Sequence, residues 1–75
     1  MLSLAMIAAG EEVKLVNIIG GSVLRKRLAD LGLNTGMALR VIQADPQGPM
    51  ILGVKDSRIA LGRGMAQKVI VEIIA

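Results

Sequence analysis

The chain of 75 residues contains no cysteine, no histidine and no aromatic residue. It therefore lacks the most common general base, the usual thiol nucleophile and both of the ligands that zinc prefers. Disulfides are excluded as well, which fits a reducing compartment. Without aromatic side chains there are no stacking surfaces of the kind that bind single-stranded nucleic acids. We expect no enzymatic activity, no resident metal or cofactor, and no nucleic acid as partner.

Long hydrophobic runs are also missing, since none approaches the ~18 residues of a membrane span. Residues 1–10 lack the basic region that precedes the apolar part of a signal peptide. The formal net charge of +3 is small for a nucleic-acid-binding domain. We expect one cytoplasmic domain over residues 1–75. Its hydrophobic fraction of 53% is high for so short a chain and favours a partner or self-association.

The segment from Gly20 to Gly36 gives the clearest structural signal. Two glycines open it, Ser22 offers a hydroxyl to cap a helix, and Gly32 is typical of a helix end. The pattern predicts a helix of about nine residues, too short to be stable without packing. Its apolar face consists of Leu24, Leu28 and Leu31, and its other faces carry Arg25, Lys26 and Arg27.

The rest of the chain reads mainly as short strands separated by brief turns. The predicted strands are Glu12 to Ile19, Met37 to Ala44, Met50 to Lys55, Arg58 to Leu61 and Val69 to Ile74. Single helical turns are expected within Ser3 to Ala9 and Met65 to Lys68. The fold class is therefore mainly β: a small closed five-stranded barrel with one short inserted α-helix. A mixed α+β sandwich is the competing architecture.

The last strand has two apolar faces, because Ile70 and Ile74 flank Glu72 on the side opposite Val69 and Val71. Either a helical turn or the Leu24 face covers the outer side, or a second copy of the chain does.

Cations are the candidate functional residues. Arg25, Lys26 and Arg27 are either a solvated helix face or a docking patch for an acidic protein surface. Arg58 and Arg63 lie near a hairpin and a glycine break, where loops could present them to a partner. An arginine that reaches a partner's nucleotide in trans is a further alternative. The predicted partner-binding residues are Arg25, Lys26, Arg27, Arg58 and Arg63.

With these segments placed, the chain resembles the FeoA family, ferrous iron transport protein A, over nearly its full length. The RL-x-x-LGL-x-x-G pattern from Arg27 to Gly36 is its most specific part. The other marks are Gly10, Gly20-Gly21, Arg25-Lys26, Gly48-Pro49, Arg58-Ile59-Ala60-Leu61, Arg63 and Ala66.

The resemblance implies an SH3-like barrel that serves as a cytoplasmic accessory of bacterial ferrous iron uptake. It implies as partner FeoB, a membrane transporter with a cytosolic GTPase domain. It assigns no catalytic or metal-binding residue to any position. A nucleic-acid-binding barrel, a generic protein-binding barrel and a direct iron carrier are the alternatives.

Overall fold

A computed structural model describes residues 1–74 of the chain. Within these residues no helix is long and apolar enough to cross a membrane. The elements, in chain order, are β1 (Leu2–Ser3), a 3-10 helix (Leu4–Met6), β2 (Glu12–Ile18), α1 (Ser22–Asp30), β3 (Ala38–Ala44), β4 (Met50–Val54), β5 (Ser57–Leu61), α2 (Arg63–Ala66) and β6 (Val69–Ile73).

All six strands belong to one sheet with the order β1-β6-β2-β3-β4-β5, and every neighbouring pair is antiparallel. The predicted mainly β fold with a helix inserted after the first long strand is confirmed, and the sheet is compatible with an SH3-like fold. Two details differ from the sequence prediction. A sixth strand, β1, precedes the expected N-terminal helical turn. The predicted closure of the barrel is wrong, because β1 and β5 end the sheet without pairing to each other within the described residues.

Two register shifts bend the sheet around its core. One lies between Leu15 and Asn17 in the pairing of β2 with β6, and the other between Val41 and Gln43 in the pairing of β3 with β4. An extra residue on one strand increases the local twist, so the central strands curl. The pairing of β4 with β5 has no such shift and stays regular over five residues.

The core follows the alternation that the sequence predicted. In β2, Val13 and Leu15 are fully buried while Lys14 between them is exposed. Val69 and Val71 of β6 are fully buried as well. On the other side of β6, Ile70 is half-buried, and Ile74 beyond the strand is 48% exposed. The cover predicted for this outer face, either a helical turn or the Leu24 face, or a second copy of the chain, stays a prediction.

Helix α1 is held by one core leucine and by its C-terminal turn. Leu28 is fully buried and Leu24 half-buried, whereas Leu31 is 42% exposed. Gly32 takes a φ of 94°, as predicted, and the Leu33 N–H donates to the Leu28 carbonyl at 2.9 Å. The predicted cap at the other end is wrong. Gly21 is the N-cap residue, and Ser22 already lies inside the helix and makes no capping hydrogen bond.

Candidate functional site

The three consecutive cations of α1 are all exposed, as the sequence predicted for a helix surface. Arg25 turns back toward the sheet, and its Nη2 donates to the Ile18 carbonyl at 3.1 Å. Within residues 1–74, Lys26 and Arg27 have no side-chain hydrogen bond or ion pair. These two side chains are therefore available to a partner. The Arg25 side chain is exposed as well, but it also links the helix to the end of β2 through its hydrogen bond.

Acidic groups of the chain do little to neutralise this surface. Asp30 follows Lys26 by one helical turn, but no ion pair forms between them. The part of the chain that the structure describes contains one ion pair, which lies on the sheet. It joins Arg40 Nη2 to Glu12 Oε1 at 3.9 Å, and both side chains are exposed. Such a long surface pair contributes little to stability.

Arg63 connects three segments of the chain. Its Nη1 donates to the Ala5 carbonyl at 2.7 Å, and its Nε and Nη2 donate to the Asp45 carbonyl at 3.1 and 2.7 Å. The half-buried guanidinium thereby joins α2 to the 3-10 helix and to the loop after β3. Its suggested partner role stays a prediction, but the structure gives this arginine an internal role that sequence reasoning missed.

Arg58 lies on β5, the strand at one end of the sheet. It is exposed on β5 and pairs with Gly53 of β4, which in turn pairs with Arg40 of β3. The two arginines are thus two strand spacings apart, or roughly 10 Å between Cα atoms. The structure therefore distributes the five predicted residues over α1, the outer face of β5 and an internal junction.

An open groove of about 300 Å³ separates the end of α1 from the β4–β5 hairpin. Sequence reasoning missed it, because the groove forms only when the hairpin tip meets the loop after α1. No sequence pattern indicated the groove: Leu31, which was predicted on the apolar face of the helix, is 42% exposed and lines the groove instead. The groove residues are Leu31, Gly32, Asn34 and Met37 on one side and Val54, Lys55, Ser57 and Ile59 on the other.

The lining of this groove is almost entirely uncharged. Among the described residues that line it, Lys55 is the only ionisable one, and the others are apolar side chains, a glycine, a serine and an amide. Elsewhere in residues 1–74, no group of three or more acidic side chains is placed to hold a metal ion.

A family model described as the FeoA domain matches residues 2–73. The chain belongs to the FeoA family. This confirms the resemblance found in the sequence and places the chain among accessory proteins of ferrous iron transport, not among enzymes.

Two relatives that match nearly the whole chain agree with this assignment. "Putative Fe(2+) transport protein A" of Methanocaldococcus jannaschii is 43% identical over 72 residues, which cover 96% of this chain and 87% of that protein. A crystal structure described as iron uptake regulatory protein (FeoA) has a TM-score of 0.90 at 33% identity. It covers 97% of this chain, which in turn covers 96% of that structure.

A third relative places a FeoA sequence beside a transporter in one polypeptide. The Porphyromonas gingivalis protein named "Fe(2+) transport protein A/Fe(2+) transporter FeoB fusion protein" is 29% identical over 75 residues. The match covers 99% of this chain but 9% of the fusion protein. In that relative, a FeoA sequence is covalently attached to a FeoB transporter.

Proposed function

We propose that this FeoA protein is a cytoplasmic interaction module that docks on the cytosolic, GTPase-bearing part of a FeoB-like ferrous iron transporter. The observation that carries the proposal is the fusion of a FeoA sequence to FeoB in the Porphyromonas gingivalis relative. Fusion keeps two domains at a high effective concentration. A separate FeoA chain must reach the same partner through a binding surface of its own.

The exposed cations of α1 form the docking surface in this proposal. Lys26 and Arg27 are exposed and unpaired within residues 1–74, and the helix beneath them is fixed by buried Leu28. A positive patch on a rigid element speeds the approach of an acidic partner and orients the encounter. The contact is therefore expected to weaken as salt screens the charges.

Isothermal titration of the purified chain into the transporter's cytosolic part, at low and high salt, tests the proposal. Lys26→Glu and Arg27→Glu each change the net charge by two, and each is expected to raise Kd by about tenfold. Lys14→Glu is the matched control, because Lys14 is an exposed cation on β2 with the same charge change. The control is expected to keep the wild-type affinity.

Two failures of this experiment are distinguishable. If the wild-type chain does not bind the cytosolic part, the proposed partner is wrong. If it binds but the helix variants and Lys14→Glu behave alike, the partner stands and the assignment of the α1 surface is wrong.

A further inference from the structure

Strand β5 ends the sheet, and within the described residues its outer side is unpaired. It hydrogen-bonds to β4 along its other side and packs chiefly on that strand. Arg58 and Ala60 are both exposed. An unpaired strand of this length presents a row of backbone donors and acceptors to any other strand that can align with it.

The hairpin register determines which backbone groups face outward. Val54 pairs with Ser57 next to the two-residue turn, so this pair and every second pair after it exchange hydrogen bonds within the hairpin. Arg58 and Ala60 fall at the intervening positions, so their N–H and C=O groups point away from β4. Within residues 1–74 these groups form no other backbone hydrogen bond.

Apart from one charged residue, β5 lacks the devices that usually protect an edge, whereas the strand at the opposite end of the sheet is protected by its shortness. Strand β1 has two residues and runs directly into the 3-10 helix, so it offers almost no edge. Strand β5 has five residues, no proline and no bulge. Its one charged residue, Arg58, is the exception to this lack of protection.

We propose that β5 pairs with β5 of a second copy of this chain, antiparallel and centred on Ile59. This alignment joins all five residues of both strands around a two-fold axis. It places Arg58 opposite Ala60 of the second copy, in pairs that exchange both backbone hydrogen bonds. The proposal is independent of docking on a transporter.

Charge and side-chain size select this register over its neighbours. Centring the pair on Arg58 would place two arginines directly opposite each other, which is unfavourable. Centring it on Ala60 would carry Arg58 past the end of the partner strand, opposite Gly62. In the proposed register the small Ala60 leaves room for the arginine stem, and the two half-buried Ile59 side chains lie opposite each other.

Sedimentation velocity from about 10 μM to about 2 mM is the first test, because the contact is smaller than a standard interface and is expected to be weak. Interference optics are required, since the chain has no aromatic absorbance. We expect a concentration-dependent monomer–dimer equilibrium. Hydrogen exchange followed by NMR is expected to show the Arg58 and Ala60 amides becoming protected as concentration rises.

Substitutions at Ala60 test the register. Ala60→Pro removes an N–H that β4 does not use, so the fold is retained, as far-UV circular dichroism will verify, while dimerisation is lost. Ala60→Glu places a carboxylate opposite Arg58 of the second copy in both symmetric pairs, and is expected to lower Kd by about 2–10-fold. Ala60→Lys, the matched control of opposite sign, is expected to raise Kd by a similar factor.

A chain that stays monomeric to about 2 mM overturns the proposal. So does an Ala60→Pro variant that is folded and still dimerises like the wild type. Protection of the two amides only upon addition of another protein's extended peptide would assign the edge to a foreign strand and also overturn self-pairing. If Ala60→Lys dimerises more tightly than Ala60→Glu, the register is wrong.

Discussion

Replacing Arg63 by methionine removes the three hydrogen bonds that join α2 to Ala5 and Asp45 while keeping most of the aliphatic stem. The bond to the Ala5 carbonyl is partly buried and short, at 2.7 Å. Its loss is expected to cost about 1–1.5 kcal/mol. The two bonds to Asp45 converge on one exposed carbonyl that water can reach, so together they contribute about 0.5–1 kcal/mol.

The expected loss for Arg63→Met is therefore about 2 kcal/mol in the free energy of unfolding. This is a large share of the ~5 kcal/mol that a domain of this size retains. It corresponds to a fall in Tm of about 8–16 °C. Arg63→Lys keeps the charge but cannot bond both carbonyls in the same fork, so an intermediate loss is expected.

Urea unfolding followed by far-UV circular dichroism measures this loss without the aromatic fluorescence that the chain lacks. Arg58→Met is the matched control, since Arg58 is exposed on an edge strand and makes no hydrogen bond through its side chain within residues 1–74. Its cost is expected to stay within about 0.5 kcal/mol. If Arg63→Met is no less stable than Arg58→Met, the internal role assigned to Arg63 is refuted.

Two further predictions concern stability and use the same unfolding assay. Leu28→Ala removes the fully buried side chain of α1 and is expected to lower the free energy of unfolding by about 3 kcal/mol. Leu31→Ala changes a groove position that is 42% exposed, and the expected loss is about 1 kcal/mol. Equal losses for the two variants would contradict the packing described for the helix. Gly20→Ala is expected to cost about 1–3 kcal/mol, because Gly20 has a φ of 152° and a new Cβ would lie 2.8 Å from Leu24 Cδ2. Gly64→Ala, where a new Cβ meets no atom within 4 Å, is expected to be neutral or mildly stabilising, and a Gly20→Ala variant as stable as this control would contradict the close approach.

Local signals were sufficient to predict the helix end. Gly32 after a leucine face predicted the left-handed turn. The Leu33 N–H donates a hydrogen bond to the Leu28 carbonyl, as this type of helix end requires. The start of the helix was less well determined. Glycine and serine are both acceptable N-cap residues, so sequence alone did not separate Gly21 from Ser22.

The hairpin turn was misplaced by one residue. The predicted strands Met50 to Lys55 and Arg58 to Leu61 leave Asp56-Ser57 as the connection, but the turn is Lys55-Asp56, and Lys55 takes a φ of 54°. Residue preference does not separate the two placements, because Asp56 lies in both turns. The two registers also keep the same side chains on the core face, since they differ by two residues. The observed register pairs the buried Met50 with the buried Leu61 at the far end of the hairpin.

Contacts between segments that are far apart in the chain could not be predicted from the sequence. The Arg63 guanidinium bonds a carbonyl 58 positions away, and no periodicity indicates that pairing. The two-residue β1 is too short to leave a pattern, and the unpaired edge of β5 follows only from the strand order. The exposure of the basic run of α1 could be predicted from the sequence alone. The leucines of this short helix share one face, so the three consecutive cations lie on the other faces.

Mapping the partner contact onto the chain by NMR tests docking through α1 most directly. Amide shifts of the chain are followed while the cytosolic part of a FeoB-like transporter is added. Our account predicts that the largest perturbations fall on α1 around Lys26 and Arg27, and that added salt diminishes them. The absence of any perturbation, or perturbations confined to strands remote from α1, would contradict it.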